Sequence, residues 1–499
     1  MSVYAFACTC RVRSCTRFEA GDARPWPIPN VASHYRILDR TFLRNDVERT
    51  RFSSPVGLRD AFALEIEAFA VRAGRLRPER VALLETLDGR PGLLELTREH
   101  ALDCGADVLV PGAVECGART VTDRGVFSFG AGGQLLFRSA ACARPADAYE
   151  ECALALDSFS TRLAAHGIEL VTLGADPWRS ADEVGLQDTS ATARCIDAVY
   201  GAAGGEASRA SRLSAATRVY IGFGSHVLGP MRFRAARALA ALTTASFANS
   251  ALTEGTGSGH VGVRSAWRRS VDPSRTSFAC AALSTSPLDA YLDFALDARV
   301  LIVRTAEQWF PQLRSFTFRQ WLEHGLDGVH PDLDDWRFHL TTLDPDVSAQ
   351  GWIVVDAQDA QARPYWSVPL VVWSALLEDR AALSRVLELG DAQPESYATA
   401  ARVGLCDPVL GERARALFGL VAEALLRRPS GWVSNEMLAA FVSFGERFVF
   451  KRRTPGDDVL DMFARRSGFG LAEHRALVRT WSAHAGTQLR TPLSLRRSG

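Results

Sequence analysis

Two glutamates one residue apart, Glu65-Ile66-Glu67, lie inside an alternating stretch from Ala63 to Val71. On a strand, residues i and i+2 point to the same side, so this pair sets two carboxylates on one face, where they can share divalent cations. The plain alternative is a pair of acids on the solvent face of a half-buried strand. Gly255, Gly257, Gly259 and Gly262 could bring backbone amides close to a phosphate or carboxylate, and a hairpin loop explains them equally well. Ser225-His226 lacks the G-x-S-x-G frame of a nucleophile elbow, so no triad can be argued. His324, His330 and His339 are spaced too irregularly for zinc and read as satisfied surface or capping histidines. Ten cysteines are scattered without a C-x-x-C pair, which argues against a structural zinc site. Cys8, Cys10 and Cys15 share an arginine-rich segment that reads as a disordered leader or an upstream translated extension.

Basic residues exclude several chemistries. Among 57 of them only one is a lysine, Lys451, in Phe450-Lys451-Arg452-Arg453-Thr454-Pro455. That context fits neither a Walker-type phosphate loop, nor a kinase strand lysine, nor a pyridoxal Schiff base. The 57 basic residues are balanced by 57 acidic ones, so nothing in the net charge draws the chain to nucleic acid or an anionic membrane. No apolar run reaches the ~18 residues of a membrane span, and the N-terminus lacks the apolar stretch of a secretory signal. A cytoplasmic protein with reduced thiols is expected.

The elements that must position the glutamates can be read from periodicity. Ala63–Val71 reads as a strand with both glutamates on one face. Val126–Phe129 and Gln134–Phe137 read as short strands around Gly132-Gly133. Residues 146–166 have helical spacing, with Tyr149, Cys152, Ala153, Leu156, Phe159 and Leu163 on one side and Gly167 as the stop. Strands are expected at 168–173 and 217–223, a flexible loop at 201–211 and a long helix at 231–248. From 370 the pattern turns helical, with helices at 370–389, 394–403, 411–427 and 435–445. Strands mixed with helices in no regular repeat, then a helical C-terminal third, favour an α+β fold.

The run from 231 to 276 says more. Phe247-Ala248-Asn249-Ser250, Thr253-Glu254-Gly255, Val263-Arg264-Ser265, Asp272-Pro273 and Arg275-Thr276 follow a helix in that order. They resemble the glutamate-cysteine ligase family in its plant and bacterial branch, whose run reads approximately F-A-N-S-P-F-x-E-G, R-S, D-x-x-R-x-G. Further on, His339-Leu340-Thr341-Thr342-Leu343 is similar to the family's H-L-[ST]-T-L, and 369–379 to its P-A-F-W-V-G-L-L-Y-D. Ala63–Glu67 resembles its G-x-E-x-E opening strand, and Gly132-Gly133-Gln134-Leu135 its E-P-G-G-Q-L-E-L turn.

This resemblance implies a glutamine-synthetase-like ligase fold: an antiparallel sheet curled into a funnel and backed by helices. Pro25, Pro27, Pro29 and Pro55, with little periodicity around them, suggest an N-terminal arm over 1–55, partly disordered, before a ligase-like domain over 56–455 and a helical C-terminal tail over 456–499. The activity implied is ATP-dependent: a carboxylate, the γ-carboxylate of glutamate, is phosphorylated, and the acyl phosphate is attacked by an amine, that of cysteine. Magnesium would neutralise the charge spread over the transferred phosphoryl group. By carry-over, Glu65 and Glu67 would be metal ligands, and Arg264 would face the substrate carboxylate or the phosphoryl group. Arg275 would sit on the ATP side. Partners would be small amino-acid substrates, with no nucleic acid and no membrane.

The chain departs from the family at several positions. Gly130 and Leu136 stand where the family has glutamates, and Tyr220 and Gly222 where it has T-x-V-Q-V-N. The family's Y-L-E-V-R-G-A-D strand reads from Trp352 to Asp359 here, so its metal-binding glutamate is Val354 and its phosphate-side arginine is Asp356. Asp356 and Asp359 are the acids placed to compensate as metal ligands. Two functional readings follow: a working ligase with an altered site, or a catalytically silent relative kept for binding or regulation. A third, an unrelated α+β binding protein, would lack the sheet that the first two require. If the motifs are in register, Leu136 and Val354 share the face of Glu65 and Glu67.

Overall fold

The computed structural model describes residues 38–490, apart from 75–76, 85–88, 104–118, 202–204, 279–285, 306–307 and 391–392. Cys8, Cys10 and Cys15 lie outside the described residues. The strands are β1 (Phe62–Arg72), β2 (Glu79–Arg80), β3 (Arg119–Val121), β4 (Gly125–Phe129), β5 (Leu135–Ser139), β6 (Ile168–Val171), β7 (Thr217–Ile221), β8 (Leu252–Thr253), β9 (Thr256–Gly257), β10 (Ile302–Arg304), β11 (Trp309–Pro311), β12 (Val347–Ala349) and β13 (Ile353–Val355). Nine of them form one antiparallel sheet, in the order β12-β13-β7-β1-β5-β4-β3, with β2 and β6 also on β1. The sheet is open, since the path ends on β12 and β3. Its pivot is β1. The first half of β1 pairs with β5 and β7, and its last residues pair with β2 and β6.

Strand alternation divides the sheet into two faces. Phe62, Leu64 and Ile66 of β1, Val219 and Ile221 of β7, Ile353 and Val355 of β13, and Leu135 and Phe137 of β5 turn one way into the main core. Long helices cover that face: Pro145–Ala165 packs on β1, Val368–Glu378 on β7, and Leu228–Ser246 on β12 and β13. Burying each such side chain contributes about 1.5–3 kcal/mol, so this face fixes the register of the other. The architecture is α+β with a helical C-terminal third, as expected. Among the described residues no helix is long and apolar enough to cross a membrane.

Most elements fall where periodicity puts them. The Pro145–Ala165 helix buries Tyr149, Cys152, Leu156, Phe159 and Leu163, and Gly167 after it has φ +67°. Glu254 and Gly255, both at positive φ, turn the β8–β9 hairpin, so this glycine stretch is a hairpin loop. Three expectations are corrected. The 201–211 loop is helical from Gly205 to Arg212, because Ala207, Ala210 and Ser211 make an i, i+3, i+4 stripe buried beside the helix Val263–Val271. The single helix at 370–389 is two, Val368–Glu378 and Arg380–Leu389. They are split at the extended Asp379, whose carboxylate caps the second by accepting from Ala382 N at 2.9 Å. His339 is buried rather than at the surface, its Nε2 2.8 Å from Ala295 O and its ring tilted on Phe318.

That burial has a pH consequence. Burial holds His339 down to about 3 and the buried His474 down to about 4, against an ordinary 6.5. Below pH 6.5 the unfolded chain takes up protons that the folded chain refuses. The stability from these two groups is therefore complete above 6.5 and lost as pH falls towards 4 and 3. At about 1.4 kcal/mol per unit, each should cost about 2 kcal/mol by pH 5. Urea unfolding at pH 7 and pH 5 checks this, with His339→Gln expected to remove roughly half the difference; a stability unchanged between the two pH values would contradict it.

Candidate functional site

The second face of the sheet carries the glutamates. Glu65 stands opposite Arg218 of β7 and Arg138 of β5, and Glu67 opposite Leu136. Tyr220 stands opposite both Ala63 and Val354. Cross-strand partners share a face, so Leu136 and Val354 lie on the glutamate face, as the motif register requires. Half of this face is apolar: Ala61, Ala63, Tyr220, Trp352 and Val354 form one buried cluster. The other half is ionic.

Arg218 organises the ionic half. Its Nη1 donates to Glu65 Oε1 and to Glu67 Oε1, both at 2.6 Å, and its Nε lies 2.9 Å from Asp356 Oδ2. Arg264 and Arg268 arrive from the helix Val263–Val271, where a spacing of four sets them on one face. Arg264 donates to Asp356 Oδ1, and its Nη1 reaches the carbonyls of Asp356 and Gln358 at 3.3 Å. Arg268 Nη1 donates to the Asp356 carbonyl at 2.8 Å, and its Nη2 to Asp344 Oδ1 at 2.8 Å with Asp356 Oδ2 at 3.3 Å. All these side chains except Asp344 are buried. Burial pushes the Glu67 carboxyl up; burial pushes Asp356 the same way, but Arg218, Arg264 and Arg268 outweigh it and hold Asp356 well below the carboxylate range. Asp344, Asp356 and Glu67 in turn keep the guanidinium groups of Arg218 and Arg268 firmly protonated despite their burial.

Between these groups lies a polar cavity of about 10 Å³, lined by Glu67, Gln134, Arg218, Arg264, Arg268 and Asp356 among others. That is room for about one water. Gly130 on its wall shows why it is small, and Gly222 elsewhere on this face is crowded too. A Cβ on Gly130 would meet Gln134 Oε1 at 2.5 Å, and the Gln134 amide is tied to the carbonyls of Ser211 and Ser214 at 3.1 and 2.9 Å. A Cβ on Gly222 would meet the carbonyl oxygens of Leu58 and Arg59 at 2.2 Å, so the segment entering β1 occupies the space of a side chain there. Neither position can carry the larger residue of the family motif without movement.

The expected residues divide accordingly. Glu65, Glu67, Arg264 and Asp356 meet in one network. Arg275 does not line the cavity; it is buried, and its Nη1 donates to the Arg299 carbonyl at 2.7 Å. Asp359 is a structural clasp: its Oδ2 accepts from Asn249 N at 2.7 Å and Ser250 Oγ at 2.6 Å, holding the turn that presents Arg264, whose own amide donates to Ser250 Oγ. Asp359→Ala should therefore cost about 3–6 kcal/mol, two hydrogen bonds to a charged acceptor. Chemical denaturation reads this, and a loss under about 1 kcal/mol would show the clasp to be incidental. Sequence reasoning missed Arg218 and Arg268. The available signals were a lone arginine within a buried strand and the spacing of four from Arg264.

The network bears on magnesium. That ion demands near-octahedral oxygens at about 2.0–2.1 Å. Here Glu65 Oε2 accepts from Tyr220 Oη at 3.0 Å and Glu67 Oε2 from Ala216 N at 2.6 Å, while the other oxygens of Glu65, Glu67 and Asp356 face guanidinium groups. Among the described residues no cluster of three or more histidines, cysteines or acids is arranged to hold a metal. As arranged, the donor set does not fit magnesium.

The model of the family described as Glutamate-cysteine ligase family 2 matches residues 64–430. A chloroplastic glutamate–cysteine ligase of Medicago truncatula is 32% identical over 177 residues, 34% of this chain and 34% of that protein. Glutamate–cysteine ligase EgtA of Mycobacterium tuberculosis is 28% identical over 307 residues, 60% of this chain and 68% of that protein. The chain thus spans about a third of the plant relative and about two thirds of the mycobacterial one. Among solved structures, a Francisella tularensis glutamate–cysteine ligase in complex with AMP aligns over 88% of this chain and 94% of that one, with 12% identity and a TM-score of 0.47.

Proposed function

The chain belongs to glutamate-cysteine ligase family 2, and from that premise we propose an ATP-dependent carboxylate–amine ligase of low turnover whose charge balance rests on arginines. A carboxylate, that of the glutamate side chain, takes the terminal phosphoryl group of ATP and releases ADP. An amine, that of cysteine or a similar amino acid, then displaces phosphate and loses a proton to leave the amide. The supporting observation is the placement of Arg264 and Arg268 beside Glu67 on the interior face of the sheet. Two forked donors four residues apart on one helix suit a planar carboxylate or a phosphoryl group. Positive side chains also stabilise charge developing on a transferred phosphoryl group. For substrates to reach these groups the Arg218 bridge must open, and low turnover follows from that requirement.

The saturation of the same carboxylates favours a second reading, a catalytically silent relative that acts by binding. One assay separates the two: ADP release in magnesium with glutamate and a panel of amines, with the product followed by mass spectrometry. ADP release that needs both carboxylate and amine, with one amide formed per ADP, carries the ligase reading. Release no faster than without substrates carries the silent one.

A further inference from the structure

Arg218 is in contact with three carboxylates, two from β1 and one from the segment after β13. Glu65 and Glu67 share its Nη1 at equal distances of 2.6 Å, and Asp356 takes its Nε at 2.9 Å. One positive group shared among several buried carboxylates is the arrangement a divalent cation adopts. Among the described residues, no other arginine or lysine makes an ion pair with Glu65 or Glu67, whereas Asp356 is also held by Arg264 and Arg268. We infer that the Arg218 guanidinium stands in the place of a divalent cation, and that the same carboxylates become a magnesium or manganese site once it is removed. The inference rests on reading this cluster as the family's polar site.

The physical case concerns what is left behind. Buried carboxylates need a counter-charge, or they give up their own charge by taking up protons. With Arg218 truncated, Glu65 keeps Tyr220 Oη and Glu67 keeps Ala216 N as donors, and the vacated guanidinium volume adds to the existing cavity. Two carboxylates from one strand, a third from Asp356 and waters in the enlarged space make an oxygen-rich set of the kind manganese and magnesium accept.

The test uses the full chain and manganese alone. Free Mn²⁺ is followed by electron paramagnetic resonance for the wild type, Arg218→Met and Arg218→Ala, and melting temperature is followed with and without Mn²⁺ or Mg²⁺. The wild type is expected to leave the free-ion signal unchanged. Arg218→Met, which keeps an apolar stem, should bind one Mn²⁺ at least about tenfold more tightly than the wild type and melt higher with it. Adding Glu67→Gln should abolish both effects. The inference is overturned if the wild type binds one Mn²⁺ in a manner that Glu67→Gln destroys. It is equally overturned if both Arg218 variants capture no more Mn²⁺ than the wild type, whether folded or unfolded in the ion's presence. Neither arm reads ligation: an inactive protein leaves the inference standing, and failed Mn²⁺ capture leaves the ligase proposal standing.

Discussion

Replacing Asp356 with alanine is expected to destabilise the protein by about 3–5 kcal/mol, the cost of breaking a buried ion network by removing one partner. The carboxylate of Asp356 is bonded by Arg264, lies 2.9 Å from Arg218 Nε and lies 3.3 Å from Arg268 Nη2. Its loss leaves three buried guanidinium groups with two glutamates, Asp344 and Asp346 as remaining partners, and Arg264 with no acid among its ion pairs. The variant Asp356→Asn keeps the volume and one acceptor oxygen, and should recover part of the loss. Urea unfolding of the three proteins at pH 7 gives the order wild type, Asn, Ala. An alanine variant within about 1 kcal/mol of the wild type would mean that water already solvates these charges.

The second large effect concerns nucleotide turnover. Typical enzymes run at about 1–10³ s⁻¹, and metal ions carry much of the charge in phosphoryl transfer. Here Gly130, Leu136 and Val354 supply no carboxylate, and the carboxylates that remain are bonded to arginines, Tyr220 and a backbone amide. Turnover of ATP with glutamate and cysteine in magnesium should therefore fall at least about a hundredfold below that ordinary range. Arg264→Met should lower it further, because the fork that would face a carboxylate or phosphoryl group is gone, whereas Arg275→Met should change stability more than the rate. Multiple turnovers at about 10 s⁻¹ or faster would show that the bonded arrangement opens readily.

Much of the frame was legible in the sequence, because long periodic segments report burial directly. The helix before Gly167 and the alternating strand through Glu65 and Glu67 needed only the 3.6 and 2.0 periods. The order of Asn249, Arg264 and His339 along the chain carried the family. Other features depended on tertiary partners. Gly205–Arg212 reads as a loop by composition and is a helix because a neighbouring helix covers its small-residue stripe. Asp356 and Asp359 looked like compensating metal ligands because acids in a site of this family suggest metals. In the structure their carboxylates meet other partners: Arg218 is brought to Asp356 by the β7–β13 pairing, and Ser250 to Asp359 by the turn after a long helix. Strand pairing across more than 100 residues leaves no local signature, so Arg218 read as one arginine among many.

Guanidinium groups already satisfy the carboxylates on this face, so magnesium and nucleotide enter only when the Arg218 bridge opens and are held weakly. Calorimetric titration of ATP into the wild-type protein with excess magnesium tests it most directly. No saturable heat is expected up to about 1 mM ATP, a binding free energy weaker than about −4 kcal/mol. Saturable, magnesium-dependent binding to the wild type in the micromolar range would contradict it, and persistence of that binding in Asp356→Ala and Asp359→Ala would place the phosphates against residues outside this network.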